Sequence, residues 1–146
     1  MKNRISLSVI LLLFLQPVFG NYAFYNKVRK TCETYRVDIV NSGMELTASN
    51  FSLELESKRN DFEMTMLVGF AAAGQALIHQ QYLAKMKQRY TPILPQTIQV
   101  VVHVPLGRKG TVITARASAS NVQRLAEGTL KSSEFIRLIK DSITTL

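Results

Sequence analysis

From Met64 to Ile78 the chain runs for fifteen residues without a charge, "MTMLVGFAAAGQALI", with Asp61 and Glu63 ahead of it and Lys85, Lys87 and Arg89 behind it. So apolar a segment must be buried, in lipid or in protein. A transmembrane helix needs about 20 apolar residues, and this run is shorter. Gly69, Ala72, Ala73 and Ala76 are small enough to admit a close neighbour, which serves a soluble bundle or an oligomer seam. Acids at the start and bases at the end complement the helix dipole. The expectation is one helix over 61–89, capped by Asn60 and about 43 Å long at 1.5 Å per residue. Gly69, Ala73 and Ala76 would form its packing seam, and shallow contact with a membrane surface is an alternative for the same segment.

The N-terminus carries a different apolar run. Lys2 and Arg4 precede Ile5 to Leu15, and "QPVFG" sets Val18 and Gly20 at the −3 and −1 positions of a cleavage site. Basic residues, an eleven-residue apolar stretch and small residues at the end are the parts of a secretory signal peptide. Residues 1–20 are therefore expected to be removed, leaving a protein that begins at Asn21. The location expected is outside the cytoplasm, in a periplasm or cell envelope, or secreted. Cys32 is the single cysteine and has no internal disulfide partner; it is expected as a buried thiol, with an intermolecular disulfide as the alternative.

The leader takes two of the 18 bases and none of the 10 acids, so 16 bases and 10 acids, a net charge of +6, remain. Asp38 to Glu63 holds six acids against Lys58 and Arg59, whereas Lys85 to Leu146 holds ten bases against Glu127, Glu134 and Asp141. The C-terminal half is thus the cationic one, and Arg108, Lys109, Arg116 and Arg124 are its candidate partner-binding residues. In an exported protein such charge meets an acidic protein or anionic phospholipid rather than nucleic acid, since the compartment selects the partner.

About 126 residues after the leader suit one domain. Asn21 can cap a helix carrying Phe24, Val28, Cys32, Tyr35 and Ile39 on one stripe, with Gly43 to end it. Phe51, Leu53 and Leu55 alternate with Ser52, Glu54 and Glu56, the period of a half-wet strand; a helix running into the next segment is the competing reading. After the break from Thr91 to Pro95, "IQVVVHV" and "TVITARASA" alternate on either side of "PLGRKG", a hairpin with Arg108 and Lys109 at its tip. Ser120 or Asn121 caps a short helix stopped by Gly128, and Ser132 caps a last one with Phe135, Ile136, Leu138, Ile139 and Ile143 as its apolar side. The expected fold is α+β in the order α-β-α-β-β-α-α: a long central helix packed with a small β-hairpin or sheet and flanking helices. By region, 21–95 is mainly helical and 96–146 is the hairpin with the C-terminal helices.

From its first strand onward, the order strand, helix, strand, strand, helix resembles the small wedge-shaped modules of secretion-machine rings. "GTVITARASASN" leading into a helix is similar to BON and TonB C-terminal domains. The likeness covers thirty to fifty residues and is one of topology, so no functional residue is carried over from it. The long helix exceeds what such modules use, and no closing strand is expected after the hairpin.

No reaction is written in the sequence. His79 and His103 have no His, Cys or carboxylate at i+3 or i+4, so neither starts a metal site. Glu54 and Glu56 fall on the wet face of a strand, where carboxylates serve solvation. The serines lack a Gly-x-Ser-x-Gly setting, and "LGRKG" lacks the Lys-Ser/Thr of a phosphate loop. No cofactor is expected and no enzymatic activity. The expected function is an exported structural or assembly component of an envelope complex such as a secretion, conjugation or pilus machine, with protein partners, homo-oligomerisation and peripheral contact with anionic membrane as its associations. The alternative is a secreted binding protein or effector using its basic C-terminal surface; third comes an envelope enzyme in which His79 or His103 meets a carboxylate or serine in space.

Overall fold

The computed structural model describes residues 21–58, 61–105 and 108–146. The leader, Asn60 as a cap and Gly107 in the hairpin turn lie outside the described residues. Helix α1 covers 21–34 and buries Phe24, Val28 and Cys32, the first three positions of the expected stripe. It stops well before Gly43. Arg36 takes φ 55, its N–H donates to the Glu33 carbonyl, and the Val37 N–H donates to the Cys32 carbonyl at 2.9 Å. Those two bonds close a Schellman end with an arginine where glycine is usual. The chain beyond is β-branched at Val37, Ile39 and Val40 and enters strand β1, Asp38–Leu46, because pairing with a neighbour outweighs a continued helical stripe.

Strand β1 runs antiparallel to β2, Asn50–Glu56, so the strand reading of Phe51 to Leu55 holds. Between the pairs Ile39–Leu55 and Met44–Leu53, Val40 to Gly43 bulge opposite Glu54 alone. Ser42 sits at φ 58. A Cβ on Gly43 would lie 2.7 Å from the Val40 carbonyl oxygen and 2.9 Å from that of Glu54, so only glycine lets the strand return to register.

Helix α2, Phe62–Met86, then carries the chain back to β3, Thr97–Val104, which lies parallel to β2. Strand β4, Thr111–Ser118, completes the expected hairpin, paired from Thr97–Ser118 to Val104–Thr111. Helix α3, Ala119–Glu127, is capped by the Ser118 hydroxyl accepting from the Asn121 N–H, two or three residues earlier than expected, and ends at Gly128 with φ 80. Helix α4, Ser132–Ile139, leads through a 3₁₀ turn, Lys140–Ser142, into β5, Thr144–Thr145, on the outer edge of β4. This short closing strand was not expected. The sheet order is β1-β2-β3-β4-β5, and it runs across the 95/96 division of the two sequence regions, joining them through β2 and β3.

One sheet face, with Phe51, Leu53 and Leu55, Ile98, Val100 and Val102, and Ile113, Ala115 and Ala117, is buried together with residues of all four helices. Phe24 meets Phe51 edge-on at 4.8 Å, and Phe70 of α2 meets Phe135 of α4 at 5.0 Å. The uncharged stretch of the sequence is the centre of this α+β core. A Cβ on Gly69 would lie 2.7 Å from Leu55 and 2.9 Å from Val100, so α2 presses on the sheet through that glycine. Gly74 faces α3, and Ala73 and Ala76 are fully buried. Among the described residues no helix is long and apolar enough to cross a membrane.

Candidate functional site

The four basic residues picked from the sequence are all exposed, but they do not share one surface. Arg108 and Lys109 sit at the hairpin tip. Arg116 lies between the buried Ala115 and Ala117 and so projects from the opposite, uncovered sheet face, where its Nε donates to Gln99 Oε1 at 2.8 Å. Arg124 belongs to α3 in the helical layer, and its carbonyl accepts from the Thr129 and Leu130 N–H groups that close that helix. The sheet therefore separates Arg116 from Arg124.

A tighter collection of cations forms between α1 and α2. Tyr35, just past the end of α1, shares one recess with Asp61, Met64 and Val68 near the start of α2. Lys27 and Lys30 share another with Gln75, of about 270 Å³, so the two helices run antiparallel. On α2, Gln75, His79, Tyr82 and Met86 follow at spacings of four, three and four and lie on one stripe. The His79 ring stacks on Tyr82 at 6.3 Å. Partial burial, then the charges of Lys27, Lys30 and Lys87, hold the His79 imidazole below its usual value. Among the described residues the ion pairs are Lys58–Asp38 at 3.6 Å and His103–Glu54 at 3.1 Å; none of the three lysines around His79 takes part. Lys27 and Lys30 recur at i+3 on the flank of α1 beside its buried stripe, a spacing visible in the sequence. Their placing beside Gln75, a turn before His79, was not visible, since it depends on how the two helices pack.

The uncovered sheet face carries the second feature. His103 Nε2 lies 3.1 Å from Glu54 Oε2, a carboxylate 49 positions away that a search at helical spacings could not reach. Both side chains are more than two-fifths exposed. His103 borders a recess of about 460 Å³ at the end of β2 and β3, lined also by Glu56, Ser57 and Thr111 among others. A carboxylate beside an imidazole can orient it for proton transfer; an exposed cross-strand pair can equally be a surface ion pair worth at most about 1 kcal/mol.

A third recess, about 450 Å³, opens between α1 and the β1 bulge, with Arg29, Glu33, Asp38 and Cys32 in its wall. Burial, then the neighbouring Glu33 carboxylate, push the Cys32 thiol up to about 12, so it stays protonated and is a poor nucleophile. It is 1% exposed, which leaves it no access to a second chain's thiol. Among the described residues no group of three or more His, Cys, Asp or Glu could hold a metal ion. Set against protein-family models, curated proteins and solved structures, the chain gives no match.

Proposed function

We propose that this chain is an exported, non-enzymatic structural or assembly component of a cell-envelope protein complex of the secretion, conjugation or pilus kind. The observation that carries this reading is the two-layer build: helices cover one face of a five-stranded sheet and leave the other face, with Gln99, His103, Thr114 and Arg116, open. An uncovered sheet face and a cationic helical layer offer two broad, chemically different surfaces for neighbours. The leader-like residues 1–20 support the envelope setting.

A second reading, a secreted binding protein that uses basic charge on an anionic surface, is favoured by the lysines at the α1–α2 groove, which form no ion pair among the described residues, rather than by the C-terminal half. Cross-linking in native cells, purification of the protein from the envelope fraction and mass spectrometry test the first reading. The expected result is a defined set of envelope proteins bound to a chain whose N-terminus is Asn21. A free monomer in the cytoplasmic fraction with Met1 in place would overturn it.

A further inference from the structure

We propose that the groove between α1 and the C-terminal half of α2 is the surface by which this protein lies against an anionic phospholipid membrane. This rests on the proposed envelope setting and adds to it a residue-level contact. Lys27 and Lys30 line one recess with Gln75, a turn before His79 on the same stripe, and Lys87 follows at the end of α2; among the described residues no carboxylate lies within 4.0 Å of any of the three lysines. Cations brought together without partners repel one another, and an external anion relieves that repulsion.

The same strip exposes apolar side chains. Tyr82 and Met86 are 55 and 66% exposed, and the stripe from Gln75 to Met86 is about 17 Å long at 1.5 Å per residue. Tyrosines with one wet end, a thioether and lysines on long apolar stems are the side chains that settle at the headgroup level of a bilayer. At its other end, beside Met64, Asp61 and Glu56 offset Arg36 and Lys58, which leaves the half nearer Met86 as the cationic one.

Charge also decides among occupants. A second copy would set these lysines against themselves. The chain's own apolar segment, Ile5 to Leu15, follows Lys2 and Arg4 and brings the same sign. An anionic lipid surface satisfies both the cations and the apolar crest.

The test uses protein purified from its own cells, in the form processing leaves it. Co-sedimentation compares vesicles of phosphatidylcholine alone with vesicles that also contain phosphatidylglycerol, at low and physiological salt. Binding selective for phosphatidylglycerol and weakened by salt is expected. Each lysine near an anionic leaflet is worth roughly fivefold in affinity, so Lys27→Gln, Lys30→Gln and Lys87→Gln together should weaken it on the order of a hundredfold. Tyr82→Ser with Met86→Ser should weaken it without changing its salt slope. Arg137→Gln with Lys140→Gln, which removes two exposed bases at and just after α4, serves as the control and should bind like the parent.

Equal binding to both vesicle types, or a triple variant that binds as the parent does, overturns the inference. So does displacement by inorganic phosphate at constant ionic strength, which would mean a discrete anion site. Capture by immobilised polyglutamate through the same lysines, with no vesicle binding, would assign the strip to an acidic protein instead. A failure of vesicle binding with envelope partners still recovered removes only this contact, whereas a cytoplasmic chain that binds vesicles removes the envelope setting.

Discussion

Gly74 of α2 approaches Ala126 of α3 so closely that a Cβ on the glycine would lie 2.6 Å from the alanine Cβ, and 2.6 Å from the Val122 carbonyl oxygen. The second of these contacts is backbone, which cannot rotate away. In an exposed helix interior Gly→Ala gains about 1 kcal/mol through helix propensity. Here the sign should reverse: Gly74→Ala must push α3 off α2 and is expected to cost about 1–3 kcal/mol. Chemical denaturation of the parent and variant checks it, and a stabilised variant would mean that α3 does not seat against α2.

Gln80 does for the α2–β3 connection what a turn does elsewhere. It is fully buried, and its Oε1 accepts from the Tyr90 hydroxyl at 2.8 Å and from the Ile93 N–H at 3.0 Å. The segment from Tyr90 to Pro95 has no regular secondary structure, and these two bonds help to anchor it. Gln80→Leu keeps the volume and leaves two donors without their acceptor, an expected cost of about 1–3 kcal/mol. Tyr90→Phe removes one donor and its need together and should cost less, about 1 kcal/mol. Limited proteolysis is the second readout: cleavage near Arg89 should accelerate in Gln80→Leu more than in Tyr90→Phe, and equal rates in both would deny Gln80 the anchoring role.

The hairpin and the long helix were legible for local reasons. From Ile98 to Ala117 the apolar residues fall on every second position of both strands, and the ends of α2 are marked by opposite charges. The strand β1 was hidden because Tyr35 and Ile39 continue the four-and-three spacing of α1 beyond its true end, and the residue in the left-handed cap is arginine, which gives no glycine signal. Two threonines are too few to show a period, so β5 was hidden as well. What carries chemistry was the least legible part. Glu54 reaches His103 through the parallel pairing of β2 with β3, and Lys27 comes to share a recess with Gln75 through helix packing; both join residues about 50 positions apart in sequence, and no spacing rule covers them.

Arg108 and Lys109 are exposed at the tip of the hairpin and bear no part of the core. Changing both to Ser should move the stability by no more than about 0.5 kcal/mol. If the tip touches an acidic neighbour in the proposed complex, the same change should lower recovery of cross-linked partners at physiological salt. Full recovery with unchanged stability would remove the tip from the interface and leave the open sheet face as the candidate.

Cys32 should make the protein sensitive to alkali. Its thiol is pushed up to about 12 in the folded chain by burial, helped by Glu33, while in the unfolded chain a thiol titrates near about 8.5. Between those values the unfolded chain has released a proton that the folded chain still holds. Stability therefore falls as pH rises through that window, with a slope approaching about 1.4 kcal/mol per pH unit from this group, and is unaffected by it below about pH 8. Other groups titrate in the same range, so the comparison is with Cys32→Ala. That variant loses some packing at every pH, and the gap between it and the parent should narrow as the pH is raised from about 8 to about 10.5. Denaturant midpoints taken across the range give the gap directly, and a thiol reagent should leave the native protein unlabelled while reacting at once in denaturant. A gap that stays constant with pH, or rapid labelling of the native protein, would mean that the thiol is open to solvent and that the end of α1 does not close over it.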